Sequence, residues 1–150
     1  MASTFSWIRI HFIFSTMNRR KIIDDQIRPR LWEYMGGVAR NNNMVAYAIG
    51  GTDDHVHIIL SIPPSVSASK AIQLIKGISS KWVNDEFPDK GRFSWQQGYA
   101  AFSLSPSRMQ KTVEYIQNQA EHHKKKSFKD EYIKFLNGSA ISFDEKYVLG

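Results

Sequence analysis

The stretch that decides the fold covers residues 44–62 and reads MVAYAIGGTDDHVHIILSI. Two apolar segments, residues 44–49 and 55–62, flank a short segment that contains two glycines and two aspartates. Glycine and aspartate favour tight turns, and short apolar segments on either side of such a turn are typical of a β-hairpin. The sequence therefore predicts two antiparallel strands in the middle of the chain.

Patterns on both sides of this hairpin predict a βαββαβ order with one more helix appended. Before the hairpin, the sequence predicts a strand with Ile8, Ile10, Phe12 and Phe14 on its apolar face, and then a helix capped by Asp24 or Asp25 that ends near Arg40. After the hairpin, it predicts a helix that follows Ser69 and includes Trp82, a strand over residues 93–104, and a helix from Ser105 to about Lys126. This order indicates an α/β (α+β) protein with a ferredoxin-like, split-βαβ antiparallel sheet and helices on both faces. We expect a single domain over residues 1–150, with a core over about 7–126 and a tail that includes a short helix near residues 130–136.

Composition narrows the range of partners and sites. With no cysteine among 150 residues, the chain has neither disulfides nor thiolate metal sites, so any metal ion must bind to histidine, carboxylate or amide groups. A formal charge of +6 favours polyanions, with nucleic acid first among them, although many basic proteins bind none. No apolar stretch has the length of a membrane helix, and we expect a cytoplasmic protein that binds neither a membrane nor a small-molecule cofactor.

Two histidines share one face of the second hairpin strand. Val56, Ile58 and Leu60 alternate with them, so His55 and His57 point to the opposite side of the sheet. Their backbones lie roughly 6.5–7 Å apart, a separation from which two imidazoles can converge on one ion. Taken alone the pair is a weak signal, because ordinary surface or core histidines also occur at this spacing.

The helix predicted after Ser105 has two stripes. Its core-facing stripe is Met109, Val113, Ile116 and Ala120, and its polar stripe is Arg108, Tyr115, Gln119 and His122. Tyr115 and Gln119 are one turn apart on the same side. The polar stripe has two interpretations: a solvated helix face, or a site with Tyr115 as a nucleophile.

The order of several motifs resembles the single-tyrosine HUH transposases of the insertion-sequence-200-like kind, which include relatives of the REP-associated tyrosine transposases. The motifs are Asp54-His55-Val56-His57, Leu74-Ile75-Lys76-Gly77-Ile78-Ser79-Ser80, Trp95-Gln96-Gln97-Gly98-Tyr99 and Tyr115-Ile116-Gln117-Asn118-Gln119-Ala120-Glu121-His122-His123. The resemblance covers residues 7–131, most of the chain. Several motifs in the same order are far more specific than any one of them.

The resemblance implies a metal-dependent single-strand DNA endonuclease and strand transferase. In such an enzyme His55, His57 and Gln119 bind Mg²⁺ or Mn²⁺, and Tyr115 attacks the DNA to form a 5′-phosphotyrosine. It also implies a homodimer that acts on single-stranded DNA with hairpins. No Asp or Glu lies on the predicted strand beside the histidines, so the sequence does not identify the group that activates Tyr115.

Contacts to DNA are predicted at two basic places. Arg19, Arg20 and Lys21 follow the first strand, and Lys76 lies on the second helix. All four could contact phosphates or could simply be solvated surface. The lysines at 124–126 are equally well explained as cations at a helix C-terminus, and a structural role is the simpler interpretation of His11.

Three alternatives remain open. A hairpin-binding or RNA-binding module of the same fold would lack cutting activity, and an HUH nickase of replication or conjugation would use the same chemistry for another purpose. A metal-bound oxidoreductase is a more distant alternative. The intact set of Tyr115, Gln119 and two histidines favours the transposase.

Overall fold

A four-stranded antiparallel sheet forms the centre of the molecule, seen in a computed structural model that describes residues 3–124 and 126–143. The strand order is β2-β3-β1-β4. The strands are β1 (Arg9–Ser15), β2 (Val45–Gly51), β3 (His55–Ser61) and β4 (Ala100–Ser103). The predicted fold class is confirmed, and the hairpin at residues 44–62 forms the β2-β3 pair.

Five α-helices surround this sheet in the described part of the chain. They are α1 (Arg28–Asn41), α2 (Ala68–Glu86), α3 (Met109–Gln117), α4 (Gln119–His122) and α5 (Phe128–Gly138), and three short 3-10 turns cover Met17–Arg19, Pro88–Lys90 and Pro106–Arg108. Ser67 caps α2 and Ser127 caps α5, each by accepting a hydrogen bond from the backbone N–H three residues later.

The two faces of the sheet have different cores. Phe12, Phe14 and three apolar residues of β3, Val56, Ile58 and Leu60, pack against α1 and α2 in the larger core. On the other face, Ile59 packs against Ile116 of α3, and Ile13 packs in a cluster with residues of α5. The alternation of β3 therefore directs those three apolar side chains to one face and both histidines to the other, as predicted, with Ile59 on the histidine face.

Three predicted boundaries were wrong. The fourth strand is limited to Ala100–Ser103, because the segment before it follows an irregular path with a single bridge between Thr16 and Trp95. The first helix begins at Arg28, since Asp24 instead accepts hydrogen bonds from the backbone of residues 26 and 27 in a preceding turn.

The helix predicted from Ser105 to about Lys126 is also interrupted. It opens as a 3-10 turn, and α3 ends at Gln117 because the next residue, Asn118, leaves helical geometry at φ −105° and ψ 26°. Ala120 is exposed beyond this break, so the prediction that it belongs to the core stripe was wrong. Lys125, one of the three lysines at 124–126, lies outside the described residues.

None of the helices in the described part of the chain combines the length and the apolar character that a bilayer crossing requires.

Candidate active site

Both histidines of β3 are completely buried at the junction of the sheet with α4 and α5. His57 pairs with Ile13 of β1, and His55 pairs with Ser15. Their Nε2 atoms point toward the same carboxylate: Glu131 Oε1 lies 2.9 Å from His57 Nε2 and 3.7 Å from His55 Nε2. The sheet therefore fixes the pair, and α5 supplies an acidic group that faces both rings.

The other ring nitrogen of each histidine is also held. His55 Nδ1 lies 2.9 Å from Asp54 Oδ1 and 3.0 Å from the Thr52 hydroxyl. His57 Nδ1 lies 2.9 Å from His11 Nε2. These contacts orient the rings, which is the usual arrangement around metal-binding imidazoles. Burial lowers the pKa of His57 to about 4, and the neighbouring Glu131 only partly offsets this effect, so the ring is neutral near pH 7.

Gln119 and Tyr115 reach the same place from the two helices on either side of Asn118. The Gln119 side chain is 1% exposed, and its Oε1 lies 2.9 Å from His55 Nε2. The Tyr115 hydroxyl donates a hydrogen bond to Glu131 Oε2. The Tyr115 ring stacks on His122 at 4.3 Å between centroids, and it meets the Phe135 ring edge to face with 5.8 Å between centroids. All four site residues named from the sequence, at positions 55, 57, 115 and 119, are thus brought together.

Glu131 is the central residue that the sequence interpretation missed. It is 2% exposed and contacts His55, His57 and His123 as well as Tyr115 and Gln119. Although burial opposes its ionisation, contacts with His123, His57 and Tyr115 hold the pKa of Glu131 well below its usual range. Burial and the ionised Glu131 together raise the pKa of Tyr115.

A signal for Glu131 was present in the pattern of its helix. Phe128, Tyr132 and Leu136 are the buried stripe of α5, and Glu131 lies within that stripe. A carboxylate on an apolar helix face requires a partner, because an unpaired buried charge is costly. The partners, however, lie in segments distant along the chain.

Three donor groups here are arranged as in a metal site. His55, His57 and Glu131 each offer one atom, and these atoms all lie within 4.8 Å of one another. Neighbouring ligands of an octahedral Mg²⁺ shell, with bonds of about 2.0–2.1 Å, lie about 3 Å apart. The separations of 2.9 Å for His57–Glu131 and 2.9 Å for His55–Gln119 fit that value. The residues present therefore suit a divalent ion held by two imidazoles and oxygen ligands.

The predicted DNA contacts lie in two different environments. Arg19, Arg20 and Lys21 are exposed directly after β1, and none forms an ion pair with an acidic group among the described residues. Lys76 is half-buried, and its ammonium donates to the backbone carbonyls of residues 96, 97 and 98 at 2.7, 3.2 and 2.9 Å. Burial lowers its pKa to about 8. Its DNA contact remains a prediction, and the structure shows a role in holding this loop.

Two of the recognised motifs meet in the same loop. Ser79 of α2 accepts a hydrogen bond from the Trp95 indole at 3.0 Å, and Gln96 Oε1 accepts one from the Ser15 backbone at 2.7 Å. The motifs at 74–80 and 95–99 therefore support the end of β1 that lies beside His55.

Comparisons with known sequences show the family. Residues 4–119 match the family described as "Transposase IS200 like". The chain is 26% identical over 121 residues to the transposase for insertion sequence element IS200 of Salmonella typhimurium strain LT2, covering 77% of this chain and 79% of that protein. It is 20% identical over 117 residues to the ISDra2 transposase TnpA of Deinococcus radiodurans, covering 75% and 84% of the two chains.

Solved structures share the fold. A candidate transposase from Deinococcus radiodurans R1 superposes with a TM-score of 0.64 at 22% identity, over 79% of this chain and 95% of that one. A REP-associated tyrosine transposase bound to a REP hairpin gives a TM-score of 0.59 at 18% identity, over 82% and 74% of the two chains.

Proposed function

Because the chain belongs to the family of IS200-like transposases, we propose that it cuts and rejoins single-stranded DNA at the ends of a mobile element through a 5′-phosphotyrosine on Tyr115. One observation carries the proposal. A single carboxylate, Glu131, contacts the Tyr115 hydroxyl through Oε2 and lies beside the Nε2 atoms of both histidines through Oε1. The nucleophile and the ion-binding groups therefore meet within one chain.

The metal centre in this proposal consists of His55, His57 and Glu131, with Gln119 as a further oxygen donor. A set of imidazole and oxygen ligands is better suited to a catalytic Mg²⁺ or Mn²⁺ than to a closed structural zinc site. When bound, the ion supplies Lewis-acid stabilisation of charge on the scissile phosphate and on the departing 3′ oxygen.

The residues of this chain account for the remaining steps. Packing between His122 and Phe135 fixes the Tyr115 ring, and Glu131 accepts the phenolic proton as the tyrosine oxygen bonds to phosphorus. The bond from phosphorus to the 3′ oxygen breaks, and that oxygen takes a proton from solvent. The products are a 5′-phosphotyrosine and a free 3′-OH. Because the phosphodiester energy is retained, attack by another 3′-OH reverses the step and rejoins strands without ATP.

The test is a search for a covalent adduct. Labelled single-stranded DNA from both ends of the protein's own genetic locus is incubated with Mn²⁺ or Mg²⁺ and resolved on a denaturing gel. We expect a protein–DNA band that requires the ion and is absent from Tyr115→Phe and His57→Ala. Tyr47→Phe, which changes an exposed tyrosine on β2, is the matched control and keeps the band.

Two outcomes would reject the proposal. Binding of the DNA without an adduct in either metal would favour a binding module of the same fold. Cleavage by Tyr115→Phe would show that another nucleophile, such as an activated water, attacks the DNA.

A further inference from the structure

A cleft beside Tyr115 has features that the proposed chemistry leaves unused. It encloses about 930 Å³ between α3 and α5, at the upper end of the roughly 300–1,000 Å³ typical of ligand sites. Tyr115 and Glu131 are among its lining residues, so it adjoins the proposed nucleophilic residue. Other lining residues are His11, Phe102, Arg108, Thr112, Lys126, Lys134 and Phe135.

Three cations line this cleft from three separate segments. Arg108 precedes α3, Lys126 lies between α4 and α5, and Lys134 lies on α5. None of the three forms an ion pair within residues 3–124 and 126–143, and both Arg108 and Lys134 are exposed. The cleft thus offers three positive charges that no carboxylate of the described residues pairs with.

The two carboxylates in the lining are already engaged. Glu121 forms an ion pair with Lys124 at 2.9 Å, and Glu131 faces the histidines and Tyr115. The cleft therefore attracts anions, and because Tyr115 is among its lining residues, an anion held there lies next to the proposed nucleophilic residue.

Two aromatic rings add an apolar surface to the same cleft. Phe102 of β4 and Phe135 of α5 are half-buried and lie 5.6 Å apart between centroids. Each also packs near His11, with the Phe135 ring at 5.3 Å. Cations interleaved with aromatic rings are the arrangement that holds single-stranded nucleic acid, because the phosphates meet the charges and the bases stack on the rings.

We propose that this cleft is a nucleotide-binding subsite for the single-stranded DNA next to the scissile phosphate. Arg108, Lys126 and Lys134 contact its phosphates, and Phe135 stacks on one base. This inference rests on the proposed function and extends it. The family match ends at residue 119, so Lys126, Lys134 and Phe135 lie outside the matched region.

The charge contacts are tested by equilibrium binding. Fluorescence anisotropy with a labelled oligothymidylate of about ten nucleotides is measured in a Tyr115→Phe background, so that no adduct forms. Arg108→Ala and Lys134→Ala should each weaken binding and should lower the slope of log affinity against log salt by about 0.7 for each lost phosphate contact. Lys111→Ala removes an exposed cation of α3 that does not line the cleft, and it should leave the slope unchanged.

The stacking contact is tested with abasic DNA. Removing one base at a time from an end-derived substrate should weaken wild-type binding most at one position beside the cleavage site. Phe135→Leu keeps an apolar side chain but removes the ring, and it should abolish the difference between intact and abasic DNA at that position. Equal sensitivity to the abasic site in wild type and Phe135→Leu would exclude stacking on this ring.

The two proposals can fail separately. If wild type forms the covalent adduct while Arg108→Ala and Lys134→Ala bind like Lys111→Ala, the subsite is wrong and the transposase chemistry stands. If binding depends on Arg108 and Lys134 but no adduct forms with either metal, the subsite stands and the chemistry is wrong.

Discussion

At the scale of single residues, Glu131 links the groups of the site. Its two oxygens have different partners, since Oε1 faces the imidazoles and Oε2 accepts the hydrogen bond from the Tyr115 hydroxyl. In the proposed function, this carboxylate accepts the phenolic proton, and its lowered pKa means that the transfer depends on the bound ion and substrate. In the same proposal it adds a negative ligand to an otherwise neutral donor set, which would strengthen binding of a divalent cation.

We predict that Glu131→Gln weakens Mn²⁺ binding by more than about tenfold, a loss typical for disruption of a metal site. Isothermal titration calorimetry of the protein without DNA measures the affinity. Asp130→Asn makes the same change of charge at an exposed neighbour on α5 and should bind Mn²⁺ like wild type. If Glu131→Gln and Asp130→Asn bind equally well, Glu131 is not a ligand.

Lys76 gives a prediction about stability. Lys76→Ala removes three hydrogen bonds to the carbonyls of residues 96–98, and we expect it to lower the free energy of unfolding by roughly 1.5–3 kcal/mol. Urea denaturation measures this quantity. Lys81→Ala, on the exposed side of the same helix in an ion pair with Asp85, should change it by less than about 0.5 kcal/mol. An equally small effect of Lys76→Ala would show that the loop does not depend on this ammonium.

At the scale of elements, the contact between β2 and α3 determines where Tyr115 lies. Gly50 of β2 lies so close to α3 that a β-carbon there would stand 2.2 Å from the backbone oxygen of Ile116 and 2.9 Å from its Cγ2. Ile116 follows Tyr115 directly. The absence of a side chain at position 50 therefore lets the helix approach the sheet and places Tyr115 over His57, with ring centroids 5.8 Å apart.

Gly50→Ala should therefore displace α3, lower the free energy of unfolding by about 1–3 kcal/mol and reduce adduct formation. Gly77→Ala provides the contrast, because a β-carbon at that helical position meets nothing within 4 Å. It should raise the free energy of unfolding by about 0.5–1 kcal/mol through the better helix propensity of alanine. Denaturation and adduct assays on both variants measure these effects, and a neutral Gly50→Ala would show that α3 can shift without loss.

The periodicity of apolar residues was sufficient to predict the strands β1 and β3, but it did not predict the break between α3 and α4. Because successive side chains of a strand point to opposite faces of the sheet, the alternation in β1 and β3 predicts which face each side chain is on. The burial of Phe12 and the shared face of the histidines were therefore predictable. The break at Asn118 was not, because its neighbours continue a good helical pattern. Propensity is a weak guide where tertiary contacts, here the burial of Gln119 against His55, decide the local geometry.

Glu131, which the sequence interpretation missed, shows that local patterns are also insufficient to predict the whole site. His57 and Glu131 are 74 positions apart in the sequence, and no local pattern specifies which face of the sheet a terminal helix will cover. The motif order predicted the residues at 55, 57, 115 and 119, which the structure brings together. Their chemical roles and the single-domain organisation stay predictions.

At the scale of the whole molecule, the site is assembled within one chain. The resemblance implies a homodimer in which a tyrosine helix can serve the partner's histidines, and that dimer stays a prediction. In the structure, Tyr115 contacts His57 of its own chain. The three donor atoms of the candidate metal site, from His55, His57 and Glu131, belong to that chain as well.

This arrangement predicts the result of mixing two inactive variants. Tyr115→Phe and His57→Ala, combined after joint unfolding and refolding, should not restore the covalent adduct, because no chain then has both the nucleophile and the complete ion site. The adduct assay with end-derived DNA measures this, and wild type treated in the same way controls for refolding. A restored band would mean that the tyrosine helix crosses to the partner.

The site residues are also ordered along the chain, with both histidines in the first half and Tyr115, Gln119 and Glu131 near its end. Synthesis on the ribosome proceeds from the N-terminus, so the sheet and its histidines are made well before the nucleophile. Translation that stops prematurely, before codon 115, would yield fragments with half of an ion site and no means of attacking DNA. Within the proposed function, only a chain translated past Glu131 can therefore cut a strand, so shorter translation products should be inactive.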